Sequence, residues 1–122
     1  MAEANENRVI EAFRELRSSG RRALLPFITA GYPDLETTAA LLADFARRGV
    51  RICEMGIPFS DPIADGPVIQ ASYTDALARG VHSAAIFDTV AEARSGGLDM
   101  ALIAMVSYSI VFRHDPARYL AD

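Results

Sequence analysis

The sequence predicts an α/β protein whose sheet is parallel and is built from units of strand, helix and strand. Three short apolar runs have the composition of buried strands, and segments with helical spacing of apolar residues lie between them. The strands are predicted at residues 23–29, 50–55 and 100–106. This alternation is typical of parallel sheets with right-handed crossovers. On this pattern alone, a doubly wound domain and a part of a barrel both remain open.

Two helices are predicted around the first strand. Residues 7–19 place apolar side chains at helical spacing, and Gly20 follows as a stop signal. Asp34 suits the cap of a second helix, which is predicted at residues 35–48 and ends at Gly49. The buried face of this second helix is expected to consist of Leu41, Leu42 and Phe45.

Further helices follow the second and third strands. Proline suits the first turn of a helix predicted at residues 67–79, and Ser83 can cap another helix through Ala93. Asp115 followed by Pro116 predicts a last helix, and the sequence stops inside it. We therefore expect a truncated chain, because a complete (β/α)₈ barrel needs about 250 residues.

The composition suits a packed domain and argues against nucleic acid as a partner. Of the 122 residues, 51% are hydrophobic and 23% are charged, and the net charge of −4 lacks the basic face that phosphates need. The sequence shows no secretory signal and no apolar run of the roughly 18 residues that cross a membrane. The single cysteine, Cys53, favours a reducing compartment, so we expect a cytoplasmic protein without a membrane partner.

Carboxylates cluster where the second strand ends. Glu54 lies near the carboxyl end of this strand, and Asp61 and Asp65 lie in the loop that follows, at residues 56–67. Active sites of barrels form at the carboxyl ends of parallel strands. Strand alternation places Ile52 and Glu54 on one side, while Cys53 faces the helix layer. A carboxylic acid among apolar neighbours suits a general acid.

Each of these residues also has a structural interpretation. A lone glutamate at a strand end is more often a loop or cap partner than a catalyst. Asp61 and Asp65 adjoin proline and glycine, and on spacing alone they are more often turn formers or caps. Cys53 is interpreted as a packing residue. His82 and His114 lack the spacing of metal ligands, so we expect no metal site.

A long motif resembles the signature segment of tryptophan synthase alpha subunits. It is EMGIPFSDPIADGPVIQ at residues 54–70, and LPFITAGYPD at residues 25–34 is similar to the family's first strand and loop. The resemblance extends from about Phe13 to Asp122. It implies a (β/α)₈ TIM barrel of which about the first three β/α units are present. Residues 1–122 are thus expected to be the N-terminal part of a single, truncated TIM-barrel domain.

The resemblance implies a lyase of tryptophan biosynthesis that splits indole-3-glycerol phosphate into indole and glyceraldehyde 3-phosphate, with no cofactor or metal. Glu54 matches the family's catalytic glutamate, which protonates the indole ring. Asp65 matches the second carboxylate, which holds the indole N–H. Phe27 and Met105 would line the indole pocket. The family's phosphate site lies in later loops, so the isolated chain is expected to be inactive.

The same resemblance implies a protein partner, the tryptophan synthase beta subunit, in an alpha2beta2 tetramer. The family's loop after the second strand docks on that subunit, and the local contacts here would be Pro58, Phe59, Asp61 and Pro62. The alternative hypothesis is a non-catalytic alpha-like module that binds a beta subunit through residues 57–67.

The third strand region departs from the family pattern. Many relatives have a tyrosine followed by Tyr-Asn-Pro, whereas this chain has Ser107 followed by Tyr-Ser-Ile at residues 108–110. Alternation predicts that Ile103, Met105 and Ser107 share the pocket side. We predict a roomier pocket at Ser107. The alternative is that a residue from the missing half of the barrel fills the space.

Overall fold

The computed structural model describes residues 7–121, and this part of the chain contains six helices and three strands. In chain order the elements are α1 (Arg8–Ser18), β1 (Phe27–Thr29), α2 (Leu35–Arg47), β2 (Ile52–Gly56), α3 (Pro67–Ala78), α4 (Ser83–Ser95), β3 (Ala101–Met105), α5 (Tyr108–Arg113) and α6 (Pro116–Tyr119). None of these six helices has the length and apolar run that crossing a membrane requires.

The three strands form one parallel sheet in the order β1-β2-β3. Glu54 on β2 lies opposite Phe27 on β1 and Ile103 on β3. Two residues further along β2, Gly56 lies opposite Thr29 and Met105. The strands therefore end together at one edge of the sheet, which we call the carboxyl edge. The predicted parallel α/β sheet, with helices in its crossovers, is confirmed.

The two faces of the sheet bury different residues, as the alternation along β2 predicts. On the face that we call the inner face, Ile52 packs with Ala12 of α1 and Ala101 of β3. Cys53 and Met55 point to the opposite face, which carries helices α2, α3 and α4. The helix residues buried in that cluster include Leu42, Ala76 and Ile86. Burying a side chain of the size of Leu42 or Ile86 contributes roughly 1.5–3 kcal/mol, so this cluster holds these helices on the sheet.

Side-chain hydrogen bonds shape the turn between β1 and α2. The backbone N–H of Thr37 donates to the Asp34 carboxylate at 2.7 Å, and this bond lowers the pKa of Asp34. The hydroxyl of buried Thr38 accepts from the N–H of Gly31 at 2.9 Å and donates to the Asp34 carbonyl at 3.1 Å. Gly31 has φ 81°, and a β-carbon there would lie 2.5 Å from Val81. The predicted cap at Asp34 is confirmed.

The first two helices bury less of their apolar surface than their sequences predict. Of the three apolar residues predicted to be buried in α2, only Leu42 is fully buried, while Leu41 and Phe45 are half-buried. In α1, Ile10 and Phe13 are 56% and 50% exposed, because the helix rests on the inner face through smaller contacts. Helical spacing thus located both helices but overestimated their buried faces.

The strand boundaries differ from the prediction, most clearly at β1. The apolar run from residue 23 predicts a strand there, but β1 begins at Phe27. Leu24 is 71% exposed and Leu25 is 45% exposed. The physical reason is Pro26, which has no N–H to donate to a ladder and accepts instead, from the N–H of Glu54 at 2.9 Å. The other two strands differ from their predicted ranges by one or two residues.

Two helix starts also differ from the prediction. His82 caps α4 in place of Ser83, because its Nδ1 atom accepts from the N–H of Ala85 at 3.3 Å. Helix α5 is absent from the predicted elements. Its cap is Ser107, whose hydroxyl accepts from the N–H of Ser109 at 3.3 Å. With six residues, α5 is too short to show an apolar period in the sequence.

Cys53 provides a test of the helix-facing side of β2. Its thiol is buried, and burial raises its pKa to about 11, with a smaller contribution from the charge of Glu54. Only the thiolate reacts with iodoacetamide, so at about pH 8 the folded protein should react roughly 100-fold more slowly than the unfolded protein. Mass spectrometry of protein alkylated with and without guanidinium chloride measures this ratio, and equal rates would contradict the assignment.

Candidate active site

Glu54 lies near the carboxyl end of β2, on the inner face of the sheet. It is half-buried, and its strand neighbours are Phe27 and Ile103, both apolar. Its backbone is held by the hydrogen bond from its N–H to the carbonyl of Pro26. The face predicted for Glu54 is therefore confirmed, and the carboxyl group sits at the edge of the sheet where barrel sites are built. Its catalytic role stays a prediction.

The loop after β2 folds back onto this edge. The N–H of Ile57 donates to the carbonyl of Met105 at 2.9 Å, which ties the loop to β3. The N–H of Asp65 donates to the carbonyl of Pro62 at 3.0 Å, and the carbonyl of Asp65 accepts from the Gln70 side chain at 2.6 Å. These bonds use only backbone atoms of Asp65. They fix its position while leaving its carboxylate available to a ligand.

A cavity of about 350 Å³ opens at the carboxyl edge. Its lining includes Phe59, Pro62, Asp65, Tyr73, Met105 and Ser107. The volume lies within the range of small-molecule sites. The structure thus brings two of the predicted site residues, Asp65 and Met105, to one cavity. Glu54 and Phe27 belong to the adjoining part of the sheet and do not line it.

Two aromatic side chains meet over Gly56, at the carboxyl end of β2. A β-carbon at Gly56 would lie 2.5 Å from Cζ of Phe27 and 2.5 Å from the hydroxyl oxygen of Tyr73. Both distances are far inside van der Waals contact, so this arrangement needs glycine. Phe27 is the strand neighbour of Glu54, and Tyr73 lines the cavity. The contact over Gly56 therefore connects the candidate acid with the cavity.

Sequence patterns alone do not single out Tyr73. It is only 3% exposed, and burial raises its pKa to about 12, with further contributions from the charges of Asp65 and Glu54. Its phenol is therefore neutral, and can donate a hydrogen bond, at any physiological pH. The available signal is the helical spacing of Ile69, Tyr73 and Ala76, which marks one face of α3. That spacing does not reveal the nearby carboxylates.

Ser107 does not occupy the strand position that alternation predicts. Strand β3 ends at Met105, and Ser107 instead caps α5 through Ser109, although it still lines the cavity. Tyr108 is 69% exposed, and its ring packs against Phe112 with centroids 6.1 Å apart. Tyr108 therefore does not line the cavity beside Ser107.

The four residues expected to contact a partner differ in exposure. Pro58 is buried, and Phe59 and Pro62 are half-buried. Asp61 is exposed and accepts a 3.4 Å hydrogen bond from the hydroxyl of Ser60. In this conformation of the loop, Phe59, Asp61 and Pro62 present side-chain surface, whereas Pro58 packs inside.

A second, larger cavity of about 750 Å³ lies between α4 and the last two helices. It is lined by residues such as Phe87, His114 and Tyr119 and contains neither candidate carboxylate. Across residues 7–121, no group of three or more His, Cys, Asp or Glu side chains is arranged to hold a metal ion. The chemistry that this part of the chain can support therefore centres on the carboxyl edge.

A parallel sheet, helices in its crossovers and carboxylates at its carboxyl edge fit part of a (β/α) barrel of the TIM class. The family model described as tryptophan synthase alpha chain matches residues 13–122. The chain therefore belongs to the tryptophan synthase alpha chain family.

Individual relatives agree with this membership. The chain is 42% identical over 116 residues to the tryptophan synthase alpha chain of Clostridium kluyveri, covering 95% of this chain and 44% of the relative. It is 44% identical over 110 residues to that of Rhodopirellula baltica, covering 88% and 40%. The chain thus spans less than half the length of these curated relatives.

Solved structures show the same fold. Tryptophan synthase subunit alpha from Legionella pneumophila superposes with a TM-score of 0.85 at 33% identity, covering 89% of this chain and 42% of that one. A chain of tryptophan synthase from M. tuberculosis, in an aminoacrylate-bound form, gives a TM-score of 0.84 at 30% identity, covering 94% and 46%. The three β/α units therefore have the arrangement found in these proteins.

Substitution at Gly56 tests the contact between Phe27 and Tyr73. Gly56→Ala should destabilise the protein by about 1–3 kcal/mol, because the new methyl group overlaps both side chains. Urea denaturation followed by circular dichroism measures the change. The matched control is Gly96→Ala, where the nearest atom would be 3.4 Å away, and its expected effect is below about 0.5 kcal/mol. Equal effects of the two substitutions would contradict the packing described.

Proposed function

We propose that a complete barrel with this sequence cleaves indole-3-glycerol phosphate into indole and glyceraldehyde 3-phosphate, a lyase reaction of tryptophan biosynthesis. The observation that carries the proposal is Glu54, half-buried on the inner face at the carboxyl edge, with Asp65 in the following loop. Membership of the family supports the same activity. In this proposal, residues 1–122 form the N-terminal part of a single TIM-barrel domain.

The proposed role of Glu54 follows from the bond that breaks. The bond from indole C3 to the side chain can break only if the ring accepts its electrons, so C3 is protonated first. Glu54, as a carboxylic acid, donates that proton. The resulting carboxylate then takes the proton of the adjacent side-chain hydroxyl as the carbon–carbon bond breaks. The bonding electrons return to the ring, which gives indole, and the former alcohol carbon becomes the aldehyde.

The proposed role of Asp65 is to hold the indole N–H. A carboxylate that accepts this hydrogen bond stabilises the positive charge that develops on the ring nitrogen when C3 is protonated. The backbone bonds to Pro62 and Gln70 support this role, because they hold Asp65 in place without using its carboxylate.

Phe27 and Met105 are proposed as apolar walls for the indole ring. Phe27 is the strand neighbour of Glu54, and Met105 shares the cavity with Asp65. A flat aromatic ring between these side chains would have C3 directed towards one carboxyl group and its N–H towards the other. The proposed reaction consists of proton transfers and one bond cleavage, so it requires no organic cofactor or metal.

We also propose a protein partner, the tryptophan synthase beta subunit, in an alpha2beta2 assembly. The loop after β2 is the proposed local contact through Phe59, Asp61 and Pro62, with buried Pro58 shaping the loop from inside. Solved structures from M. tuberculosis that resemble this chain carry the name of tryptophan synthase as a whole, which supports an assembly of this kind.

A cytoplasmic location is proposed on the basis of cysteine use. The only cysteine of the sequence is buried and unpaired, which suits a reducing compartment.

A non-catalytic module is less well supported than the enzyme. Binding a partner through residues 57–67 would not require a carboxyl group at Glu54, which lies on the inner face of the sheet. It would also not require the carboxylate of Asp65 beside the cavity.

The proposed roles predict unequal effects of substitutions in a complete barrel that carries this sequence as its first three β/α units. Glu54→Gln keeps the size of the side chain but removes the transferable proton, so cleavage should fall at least ~100-fold. Asp65→Asn should also impair turnover, because a neutral amide stabilises the ring charge less well. Release of indole from indole-3-glycerol phosphate measures both effects.

Asp75→Asn is the control for these variants. Asp75 lies on α3, where its carboxylate pairs with Arg79 at 2.9 Å and is 41% exposed. Its removal should leave turnover nearly unchanged, since exposed pairs contribute little. Near-normal cleavage by Glu54→Gln would overturn the proposed function.

A further inference from the structure

Helix α3 is fastened to the sheet directly beside Tyr73. The hydroxyl groups of Thr29 on β1 and Ser72 on α3 form a 2.7 Å hydrogen bond, and the Ser72 hydroxyl lies 2.8 Å from the carbonyl of Ile69. Gln70, on the first turn of the same helix, binds the carbonyl of Asp65. The helix is thus tied both to the strand and to the loop, and this fixes where the side chain of Tyr73 points.

The end of the Tyr73 side chain reaches the inner face of the sheet. Its hydroxyl oxygen and the ring of Phe27 take the space that a β-carbon at Gly56 would occupy. Gly56 is two residues beyond Glu54 on β2, so it projects towards the same face. The nearby charges of Asp65 and Glu54 also keep the phenol protonated. An uncharged, bulky group therefore stands beside both candidate carboxylates.

Tyr73 and Ser107 line the same cavity, but only one of them supplies bulk. Ser107 is a small residue whose hydroxyl is engaged in capping α5. Tyr73 is an aromatic residue that is almost completely buried. Besides Phe59 of the loop after β2, a large aromatic side chain in this cavity is therefore supplied by α3, whereas the third strand region ends in a small residue. Tyr73 therefore supplies bulk to the cavity that Ser107 borders.

We propose that Tyr73 is a specificity-determining residue, whose ring and hydroxyl limit the size of the indole ring system that the cavity accepts beside Glu54 and Asp65. The inference rests on the proposed function, because it assumes that the cavity receives the substrate's ring. It replaces the expectation of a roomier pocket at Ser107 with a cavity that is narrowed by a side chain of α3.

The test compares two substrates in the complete barrel that carries this sequence. One is indole-3-glycerol phosphate, and the other carries a bromine on the six-membered ring. In Tyr73→Leu, the ratio of kcat/KM for the brominated substrate to kcat/KM for the parent should rise at least ~10-fold, the scale expected when a pocket gains room for a bulky group. Tyr73→Phe keeps the ring and removes only the smaller hydroxyl group, so the ratio should rise less than ~3-fold.

A second substitution tests whether residues 73 and 107 border the same part of the cavity. Adding Ser107→Tyr to Tyr73→Leu returns an aromatic side chain to the cavity from its other wall. The ratio of the two kcat/KM values should then fall back to within ~3-fold of the wild-type ratio. A ratio in the double variant equal to that of Tyr73→Leu alone would overturn the proposal, because the two side chains would not be limiting the same ring.

A tyrosine outside the cavity serves as the control for Tyr73. Tyr32→Leu removes a tyrosine that is 44% exposed and lines a separate groove, so it should leave the ratio unchanged. If circular dichroism shows that Tyr73→Leu does not fold, Tyr73→Met makes the same comparison with more of the buried volume retained. An unchanged ratio in the folded variant, or an equal rise in the Tyr32 control, would overturn the proposal.

The two hypotheses fail in different ways. The ratio has meaning only when wild type cleaves the parent substrate and Glu54→Gln does not. If that condition holds and the ratio does not respond to Tyr73, only the role of Tyr73 is wrong. If wild type does not cleave the parent substrate at all, the proposed function is wrong, and the inference about Tyr73 is wrong with it.

Discussion

Parallel pairing in one register places Phe27, Glu54 and Ile103 in a single row across the sheet. The row beyond it holds Gly56 and Met105 at the same carboxyl edge. A shift of one residue along β2 would send Glu54 to the helix face and bring Cys53 to the inner face, since the side-chain period of a strand is two. Register thus decides whether a carboxyl group reaches the site at all.

The close approach of Phe27 and Tyr73 at Gly56 is a second constraint. It depends on the strand register, which fixes where Gly56 lies relative to Phe27. Glycine there lets the Phe27 ring and the Tyr73 hydroxyl meet above the strand. The bond from Thr29 to Ser72 brings α3 near enough for that contact. Packing between side chains that transfer no proton therefore sets the shape of the space in which the carboxylates would act. The same packing accounts for a neutral tyrosine between acidic neighbours.

Features that depend on local patterns could be predicted from the sequence, and features that depend on docking could not. The face of Glu54 and the cap at Asp34 follow from strand alternation and from cap preferences over a few residues. The position of Tyr73 depends on how α3 lies against β1, which no local pattern encodes. Apolar composition concealed the late start of β1, which begins only after Pro26. The prediction extended the strand alternation as far as Ser107. In the structure this residue instead caps the six-residue helix α5.

The central claim is that Glu54 delivers a proton to indole C3. Proton exchange at C3 of free indole in D₂O, followed by NMR, tests this step without bond cleavage or the phosphate group. A complete barrel carrying this sequence should catalyse the exchange. Glu54→Gln should abolish the catalysis, and Asp75→Asn should retain it. Exchange at the wild-type rate in Glu54→Gln would contradict the claim, because the proton would then come from another group.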